Sequence, residues 1–490
     1  MKSAHFQEKK IIMLIIDTLM DSSLEAALKS GKAPAFQFFI EKGQYYSNLV
    51  SPFPTMSVNV DSTLLTGVSC DRHKVPGLVW YNQKEKRIVN YGSHFRELVK
   101  LGLKQSMEDI LFNLNHVHLS KEYKTIHETL NEQGIQTASI NALLYRGSNP
   151  NILKIPFLVS LFTGITRTVK SYSPDLFSYG ATHRLNPLKR NSYFWQKYGF
   201  NDQFSVNELI YLISQNKLPP LTIAYFPDLD QSVHKNGRTN IKGIQNVDKE
   251  LQKILNQYAS WEDALTNNIW IILGDNGQAW IDKNRNEALI DLRKLLNSFK
   301  IVKLKKGITP QDEIVLGVNE RMSFIYSLDS QKVPLDALVR ILQTDNRIDV
   351  IALKKDRTIT VTSGIHEGHL YFHPQGDYID EYGQSWFVKG SQQILDLKIV
   401  NNKIKYGNYP DALARLYAPF FSHDGEYIIV SAKPGYEFIG EGSPRHVGGA
   451  SHGGLHMQDS LVSMIICGTD STPKYLRTLD IKDWLVSLVK

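Results

Sequence analysis

The sequence predicts an α/β protein built on a doubly wound, mainly parallel sheet with an inserted α+β cap. Several continuous apolar runs are typical of strands buried on both faces, as in a parallel sheet that helices cover. Segments with a helical spacing of apolar residues lie between these runs, which favours strand–helix–strand units. A chain of 490 residues also exceeds one ordinary core, so an insertion is expected.

The predicted core strands are the apolar runs themselves. In chain order they cover residues 11–16, 137–140, 221–226, 269–273, 427–431 and 462–466. Helices are predicted between them, for example around Ile126 and Leu130 ahead of Gly134. Because ligands bind beyond the carboxyl ends of parallel strands, polar residues that directly follow these runs are candidate site residues.

The sequence changes character between residues 301 and 404. Strand-like segments such as RMSFIYSL and IDVIALK flank a helical pattern from Leu335 to Leu342. We therefore predict a core made of residues 1–300 and 405–490, with residues 301–404 as the insert. The insert is expected to lie beside the site as a cap, since it falls between the candidate residues Asp275 and His452; a scaffold element without substrate contact is the alternative.

Composition narrows the class of protein. Hydrophobic residues at 42% and charged residues at 21% are typical of a globular domain. A net charge of +7 is mild for this length and indicates a solvated surface with some attraction to anionic substrates, not a nucleic-acid partner. With only Cys70 and Cys467, a disulfide framework is unnecessary, which suggests a reducing compartment.

Two apolar segments bear on membranes and location. The N-terminal segment has too short an apolar run for a signal peptide and lacks a small-residue cleavage site, so a cytoplasmic location is expected. Residues 152–165 are apolar but contain Lys154 and Pro156, and they are too few to span a bilayer. We expect core or a lid there, with a loop that contacts a membrane surface or lipid as the alternative.

Five short motifs carry candidate metal ligands. They are IIMLIID with Asp17, FPTMS with Thr55, DQSVHKNG with Asp230 and His234, LGDNG with Asp275 and Asn276, and SHGG with His452. Asp230 and His234 are four residues apart, which places them on one side of a helical turn, and a carboxylate with an imidazole suits Zn²⁺. With His452 they form a three-ligand set that leaves a position open for water or substrate.

The remaining candidates suit a second ion. Asp17 and Asp275 each follow an apolar run, and Thr55 can add its oxygen. A hydroxyl bound to a metal loses its proton more easily, so Thr55 is a candidate nucleophile. Thr55 also precedes a helix-like stretch, where backbone N–H groups favour phosphate oxygens; the alternative role there is a helix N-cap.

Taken together, the motifs resemble those of the alkaline phosphatase superfamily, specifically its type I phosphodiesterase/nucleotide pyrophosphatase branch. The similarity runs over most of the chain, through FPTMS…LLTG, YFPDLDQSVHKNG, ILGDNG, YPDALARLY…AKPGYEF and SHGGLHMQDSLVSMIICG in that order. The resemblance implies two divalent ions. One set is Asp17, Thr55, Asp275 and Asn276, for Zn²⁺, Mn²⁺ or Mg²⁺; the other is Asp230, His234 and His452, for Zn²⁺.

This sequence departs from the family pattern at two positions. Asn276 stands where the family has His, and an amide oxygen is a poorer Zn²⁺ ligand that suits a harder ion. Leu78 stands where the family has an Asn that touches the phosphate, so that contact is expected to be lost. Asn59 and Asn82 are the candidates to replace it.

The resemblance implies a metal-dependent hydrolase of phosphate esters or diesters in which Thr55 forms a covalent phosphoryl intermediate. The partner is a small phosphate ester, and its identity stays open together with the oligomeric state. One alternative is a non-catalytic relative that uses the pocket for binding, which Asn276 and Leu78 favour. Another is hydrolysis of a sulfate or phosphonate, although the C/S-x-P-S-R motif of sulfatases is absent around Thr55.

Overall fold

A central sheet of seven strands organises the protein. The structure, a computed structural model, describes residues 9–188 and 191–489. In spatial order the strands are Gln44–Val50, Leu461–Cys467, Asn268–Gly274, Lys10–Ile16, Leu221–Phe226, Thr137–Ile140 and Leu176–Ser178. The last five run parallel to one another, and Leu461–Cys467 runs antiparallel to its two neighbours. The predicted mainly parallel α/β fold is therefore confirmed.

The middle of this sheet is apolar because both of its faces are covered. Along the strand Lys10–Ile16, residues Ile12, Leu14 and Ile16 pack against the helices on one face. Residues Ile11, Met13 and Ile15 face the opposite side, where they join the core that includes the second sheet. The alternation of a strand thus places its residues in two separate cores.

A second sheet of nine strands packs on that opposite side. Its strands, in spatial order, are Ile314–Asn319, Met322–Ser327, Glu426–Ala432, Ile348–Lys355, Thr358–Thr362, Leu370–Asp380, Lys403–Tyr406 and Leu397–Val400, and Ser385–Gly390 also pairs with Leu370–Asp380. The apolar run 427–431, which we assigned to the parallel core sheet, lies in this second sheet between two antiparallel neighbours. A run buried on both faces fits either sheet, so its sequence does not distinguish them.

Four pairs of short strands complete the β-structure. They are Ala279–Trp280 with Ala450–Ser451, Leu289–Asp291 with Glu437–Ile439, Val79–Asn82 with Arg87–Asn90, and Asn149–Lys154 with Thr168–Ser173. The strands Ala279–Trp280 and Ala450–Ser451 pair in an antiparallel manner. This pair lies next to the candidate site, because Ala450–Ser451 directly precedes His452.

Helices connect these strands and cover the central sheet. The α-helices are Asp21–Lys29, Pro34–Lys42, Ser57–Thr66, Cys70–His73, Phe95–Leu101, Leu103–Glu108, Ile126–Asn131, Phe157–Thr163, Asp202–Ser214, Asp228–Asn236, Ile241–Leu255, Trp261–Asn267, Arg285–Ala288, Leu292–Leu295, Leu335–Leu342, Ala412–Tyr417, Met457–Ser460 and Ile481–Leu488. A π-helix covers Asp109–His118, and 3₁₀ turns cover Phe194–Gly199, Leu304–Lys306, Gln392–Leu395, Ala418–Phe421 and Thr478–Asp480. Among the described residues, no helix has both the length and the apolar character that crossing a bilayer requires.

Candidate active site

The candidate site lies at the carboxyl edge of the parallel strands. In the pairing register, Ile16 is opposite both Phe226 and Gly274, so three strands end at the same level. The residues that follow them, Asp17, the helix Asp228–Asn236 and Asp275, therefore emerge side by side. This is the edge at which ligands bind in sheets of this kind.

Asp230, His234 and His452 come together as the sequence predicts. Asp230 and His234 lie one turn apart on the helix Asp228–Asn236, and His234 Nε2 is 3.2 Å from Asp230 Oδ1. His452 Nε2 is 3.8 Å from the same oxygen, although His452 lies far along the chain. One ligand atom from each residue falls within a mutual distance of 4.8 Å, which suits a single ion.

The orientation of both histidines also suits metal binding. His234 Nδ1 donates to the carbonyl oxygen of Ala450 at 2.8 Å, and His452 Nδ1 donates to that of Thr55 at 2.7 Å. These bonds fix each ring with Nε2 turned toward Asp230. A backbone carbonyl that holds the other ring nitrogen is the usual support of a histidine ligand.

Glu320 is a site residue that the sequence analysis missed. It occupies a tight turn between the strands Ile314–Asn319 and Met322–Ser327, with a left-handed φ of 57°. Its Oε2 accepts a hydrogen bond from the Ser451 hydroxyl at 2.6 Å and lies 3.9 Å from His452 Nε2. The second sheet thus adds a carboxylate to the three-ligand cluster.

His446, which belongs to none of the five sequence motifs, lies in the same cluster. Its ring stacks on that of His234 with a centroid distance of 4.1 Å, and its Nδ1 donates to Glu437 Oε2 at 2.8 Å. His234, Glu320 and His446 form a second group whose ligand atoms lie within 4.8 Å of one another. His234 is shared by both groups, so they overlap.

Attraction between the carboxylates and the histidines of the cluster shifts their pKa values. Burial raises the pKa of Glu320, but the neighbouring His446, His452 and His234 outweigh burial and bring this pKa down to about 2. Burial lowers the pKa of His234, while Asp230 and Glu320 outweigh it and raise the pKa to about 10. The pKa of Asp230 falls because the attraction of the histidines exceeds the effect of its burial. Without an ion, these groups form buried ion pairs, and an ion must displace the proton on His234.

Arg321 ties the turn of Glu320 to the loop of His452. The Arg321 side chain is fully buried, and its Nε donates to Asp459 Oδ1 at 2.8 Å. The same carboxylate oxygen accepts the backbone N–H of Gly454 at 3.1 Å. The Arg321 backbone N–H also donates to the His452 carbonyl at 2.9 Å. Adjacent residues of one turn therefore contact the cluster and anchor one of its histidines.

Asp17 and Asp275 form a second, buried carboxylate pair. Asp17 Oδ2 accepts the Tyr225 hydroxyl at 2.6 Å, and Asp275 Oδ1 accepts the backbone N–H groups of Thr18 and Asn276. Asp275 Oδ2 is buried without a hydrogen-bond partner among the described residues. Burial raises the pKa of Asp17, and repulsion from Asp275 raises it further; burial also raises the pKa of Asp275. Two such carboxylates with one orphaned oxygen fit a cation.

Asp61 is a third acid in this region and was not predicted. It lies one turn after Ser57 on the helix Ser57–Thr66 and is fully buried. Burial raises the pKa of Asp61 well above its ordinary value, and the charge of Asp275 adds to the effect. The buried Asp61 carboxyl therefore holds its proton more tightly than an exposed aspartate does.

Thr55, the predicted nucleophile, does not line the cavity, and it is not the helix cap. Its hydroxyl is fully buried and accepts the backbone N–H of Gly453 at 2.8 Å, so it faces the loop of His452. The helix begins two residues later, at Ser57, with Met56 at the N-cap position. Ser57 lines the cavity at the site, where Thr55 does not.

Ser57, two residues after Thr55, is the hydroxyl of this motif that faces the cavity. Its Oγ is 3.4 Å from Asn276 Nδ2, and its hydroxyl lies close enough to the Asp275 carboxylate to lower the pKa of that group. The motif FPTMS contains two hydroxyl residues, Thr55 and Ser57. The helix begins at Ser57, and the sequence alone does not show which of the two hydroxyls faces the cavity.

Asn276 is near Asp17, but its amide has the opposite orientation from a metal ligand. Its Nδ2 donates to Asp17 Oδ1 at 3.2 Å, while its Oδ1 lies 3.0 Å from the Thr18 hydroxyl. We expected the amide oxygen to face the ion. The structure instead places a hydrogen-bond donor where the predicted ligand oxygen belongs.

Neither candidate replaces the phosphate contact expected to be lost at Leu78. Leu78 lines the cavity, whereas Asn59 is fully buried and donates to the Pro54 carbonyl at 2.8 Å. Asn82 binds Glu85 in a separate hairpin. Among the described residues, the lysine and arginine side chains that line the cavity are Lys235 and Arg445, and both are exposed to solvent.

These groups share one cavity of about 900 Å³. Its polar end is formed by Asp17, Ser57, Asp230, His234, Glu320, His446 and His452. The cavity extends from there past Leu78 into an apolar end formed by residues between 91 and 200. It offers room for a substrate much larger than the phosphate group itself.

Comparisons with known proteins agree with this geometry. Murine ectonucleotide pyrophosphatase/phosphodiesterase 5 is 12% identical with a TM-score of 0.58, over 98% of this chain and 95% of that one. Phosphonoacetate hydrolase from Sinorhizobium meliloti 1021, in complex with phosphonoformate, is 13% identical with a TM-score of 0.55, over 99% of this chain and 96% of that one. A threonine-to-alanine variant of the murine protein, described as inactive, was solved in complex with AMP; it is 12% identical with a TM-score of 0.57, over 99% of this chain and 95% of that one. No curated protein matches the sequence.

The family itself is given by sequence. A family model described as type I phosphodiesterase / nucleotide pyrophosphatase matches residues 11–357, well over half of the chain. The similar solved structures have low sequence identity to this chain but share its fold over nearly its whole length. The chain therefore belongs to the type I phosphodiesterase/nucleotide pyrophosphatase family of the alkaline phosphatase superfamily and is a phosphoric ester hydrolase.

Proposed function

We propose that the protein hydrolyses phosphate diesters in a metal-dependent reaction with Ser57 as the covalent nucleophile. The observation that carries this proposal is the position of Ser57. It is the first residue of a ten-residue helix, its hydroxyl lies close to the Asp275 carboxylate, and it lines the same cavity as the Asp17 carboxylate and the Asp230–His234–His452 cluster. A hydroxyl in that place can attack a phosphate that contacts both groups.

The residues present fit two divalent ions. Asp230, His234 and His452 would hold one, with Glu320 as a further oxygen ligand from the second sheet. Asp17, Asp275 and the Ser57 hydroxyl would hold the other, which satisfies the orphaned Asp275 Oδ2. When bound, such ions neutralise phosphate oxygens and lower the pKa of a coordinated hydroxyl. The histidine-rich set favours Zn²⁺, and the oxygen-rich set favours Mg²⁺ or Mn²⁺.

The protein groups perform the remaining tasks. The Ser57 hydroxyl loses its proton near the Asp275 carboxylate, and its oxygen forms a bond to the phosphorus while the bond from phosphorus to one ester oxygen breaks; that oxygen takes up a proton and leaves as an alcohol. Backbone N–H groups at the start of the helix Ser57–Thr66 face the phosphate oxygens. Lys235 and Arg445 line the cavity and are placed to supply the anion contact that Leu78 cannot make. Water then releases the phosphoryl group from Ser57.

Two other functions have specific support. The likeness to phosphonoacetate hydrolase favours hydrolysis of a phosphonate at the same site. The orientation of the Asn276 amide favours a protein that binds ligands without turnover, because the amide oxygen does not face the Asp17–Asp275 pair as a further ligand. Diester hydrolysis explains more of the site, since Ser57 contacts Asp275 and shares the cavity with the Asp230–His234–His452 cluster.

The test is a metal analysis of the purified protein combined with four substrates. These are p-nitrophenyl phosphate, bis(p-nitrophenyl) phosphate, p-nitrophenyl sulfate and phosphonoacetate. We expect bis(p-nitrophenyl) phosphate to be the preferred substrate, with turnover stopped by a chelator and restored by Zn²⁺ and Mn²⁺. Bound metal without turnover of any ester supports the binding function and overturns the proposal. Preferred cleavage of phosphonoacetate supports the phosphonate function.

A further inference from the structure

The apolar end of the cavity has no use in the chemistry of a phosphate. Among the described residues between 91 and 200, no aspartate, glutamate, lysine or arginine lines the cavity; the polar residues there are Ser93, His94, Asn141 and Thr182, and most of the others are apolar. The apolar side chains there include Met107, Ile110, Leu111, Ile155, Val159 and Phe200. A sugar or a charged leaving group needs polar partners in such a place, whereas a hydrocarbon chain needs only apolar contact.

One wall of that end is formed by an arm, which we define as residues 149–173. The arm consists of the paired strands Asn149–Lys154 and Thr168–Ser173, with the helix Phe157–Thr163 between them. On its inner side, Ile155, Pro156 and Val159 line the cavity. No residue of the helix is buried, so the helix is only a thin wall between the cavity and solvent.

The outer face of the arm is strongly apolar. Phe157 is 58% exposed, Leu158 48%, Leu161 62% and Phe162 74%. In the turn Phe194–Gly199, Phe194 and Trp195 are also exposed, while Tyr198 of the same turn lines the cavity. Among the described residues, ten of the twenty exposed large apolar side chains lie between residues 149 and 200. The exposed apolar surface is therefore concentrated around the cavity wall.

The same stretch is also strongly basic. Residues 149–200 contain seven lysines and arginines and one acidic residue, Asp175. Six of the seven net positive charges of the whole chain thus fall in this stretch, although the chain total alone is mild. Lys154, Arg167 and Lys170 of the arm are exposed, and the Arg167 guanidinium lies 5.7 Å from the centre of the Phe157 ring. Exposed aromatic and aliphatic side chains next to basic ones fit the interface of an anionic bilayer.

We propose that the substrate is a lipid phosphodiester taken from an anionic bilayer. The outer face of the arm lies on the bilayer, and the acyl or alkyl chain of the substrate occupies the apolar end of the cavity. The phosphate then reaches Ser57 at the polar end. This inference rests on the proposed function for the reacting phosphate, and it decides between the alternatives that the sequence left for residues 152–165.

The cavity is tested with two soluble esters that share the reacting phosphate and the leaving group. Ethyl and octyl p-nitrophenyl phosphate differ by six methylenes, and each buried methylene gains about 4-fold in affinity. We expect kcat/KM to be more than about 100-fold higher for the octyl ester. In Val159→Asp, which places a charge in the cavity wall, this ratio should fall toward 1. A wild-type ratio near 1 overturns the proposal.

The docking surface is tested with vesicles of phosphatidylcholine and phosphatidylglycerol in a sedimentation assay. We expect the wild-type protein to bind vesicles that contain phosphatidylglycerol, less tightly as salt increases. Leu161→Asp and Phe162→Asp should weaken this binding by more than about 10-fold. Val400→Asp is the matched control, because Val400 is 64% exposed in the second sheet and does not line the cavity. If the wild type and all three variants bind equally, or if the wild type does not bind, the outer face of the arm is not a membrane-binding surface. A protein partner is then the occupant of that face.

A binding measurement separates failure of this inference from failure of the proposed function. Calorimetry with Ser57→Ala measures the affinity of both esters without turnover. If wild-type protein hydrolyses neither ester but Ser57→Ala still binds the octyl ester more than about 100-fold more tightly, the catalytic proposal fails and the apolar cavity stands. If hydrolysis occurs with equal affinity for the two esters, the catalytic proposal stands and the lipid substrate is excluded.

Discussion

Ser57 and Thr55 lie two residues apart, and their replacement by alanine should have opposite effects. Removing the Ser57 hydroxyl takes away its contact with the Asp275 carboxylate and a long hydrogen bond of 3.4 Å from Asn276 Nδ2. Ser57→Ala should therefore lower the free energy of unfolding by about 1 kcal/mol. Diester turnover should fall by more than about 1000-fold, equivalent to a loss of about 4 kcal/mol of transition-state stabilisation.

Thr55→Ala should instead destabilise the fold. It leaves the backbone N–H of Gly453 buried without its acceptor at 2.8 Å, which costs about 1–3 kcal/mol. The His452 ring should keep its orientation, since it donates to the Thr55 carbonyl and not to the side chain. We therefore expect kcat for bis(p-nitrophenyl) phosphate to stay within a few fold of wild type.

The assay combines urea unfolding, followed by tryptophan fluorescence, with initial rates at saturating metal. Thr55→Ser keeps the hydroxyl and should recover most of the lost stability, and Ser57→Thr keeps a nucleophile and should recover part of the rate. A Thr55→Ala protein that is stable but inactive, beside a Ser57→Ala protein that turns over normally, would falsify the assignment of Ser57.

Four further predictions address the ions and the buried acids. His234→Ala and His452→Ala should each lower metal content and activity together; full metal occupancy in either variant removes that histidine from the site. Glu320→Gln should weaken the affinity of the same ion by about 10- to 100-fold, measured by equilibrium dialysis, and an unchanged Kd means that Glu320 only supports the loop. Wild-type activity should rise with added Mn²⁺ or Mg²⁺, and Asn276→His should bring Zn²⁺ content toward two ions and reduce that response; wild-type protein isolated with two tightly held Zn²⁺ ions contradicts this. Burial holds the folded pKa of Asp61 above its unfolded value of about 3.9, so its protonation stabilises the fold fully below that value, and the stabilisation is lost as pH rises through the folded pKa. Asp61→Asn cannot ionise, so it should be more stable than wild type at pH 8, with a difference that closes toward pH 4; a difference that does not depend on pH argues against a raised pKa.

The sequence predicts those site residues that local pattern determines. Asp17 and Asp275 directly follow apolar runs, and Asp230 and His234 are spaced for one helical turn, so their meeting at one sheet edge follows from the fold class. The sequence did not single out Ser57, the proposed nucleophile, because its motif contains two hydroxyl residues. Which of them faces the cavity depends on the hydrogen bond between Thr55 and Gly453 in the loop of His452.

Other features depend on contacts between distant segments. Glu320 reaches the site only because the second sheet packs against the central one, and a glutamate in a tight turn has no local pattern that indicates a ligand. The run 427–431 was assigned to the wrong sheet for the same reason, since burial on both faces does not identify the neighbours of a strand. The concentration of positive charge between residues 149 and 200 is visible in the sequence, but its relation to the cavity is visible only in the structure.

The turn of Glu320 and Arg321 limits how this enzyme can be re-engineered. Protein engineers often exchange segments beside an active site between homologues, because the exchange can alter substrate specificity while the catalytic residues stay the same. Here an exchange that replaces the turn removes Glu320 from the candidate metal site. It also removes Arg321, so that Asp459 is left buried without the guanidinium that neutralises it. An unpaired buried charge of that kind costs about 3–5 kcal/mol, so chimeras must carry Glu320, Arg321 and Asp459 as one inherited unit.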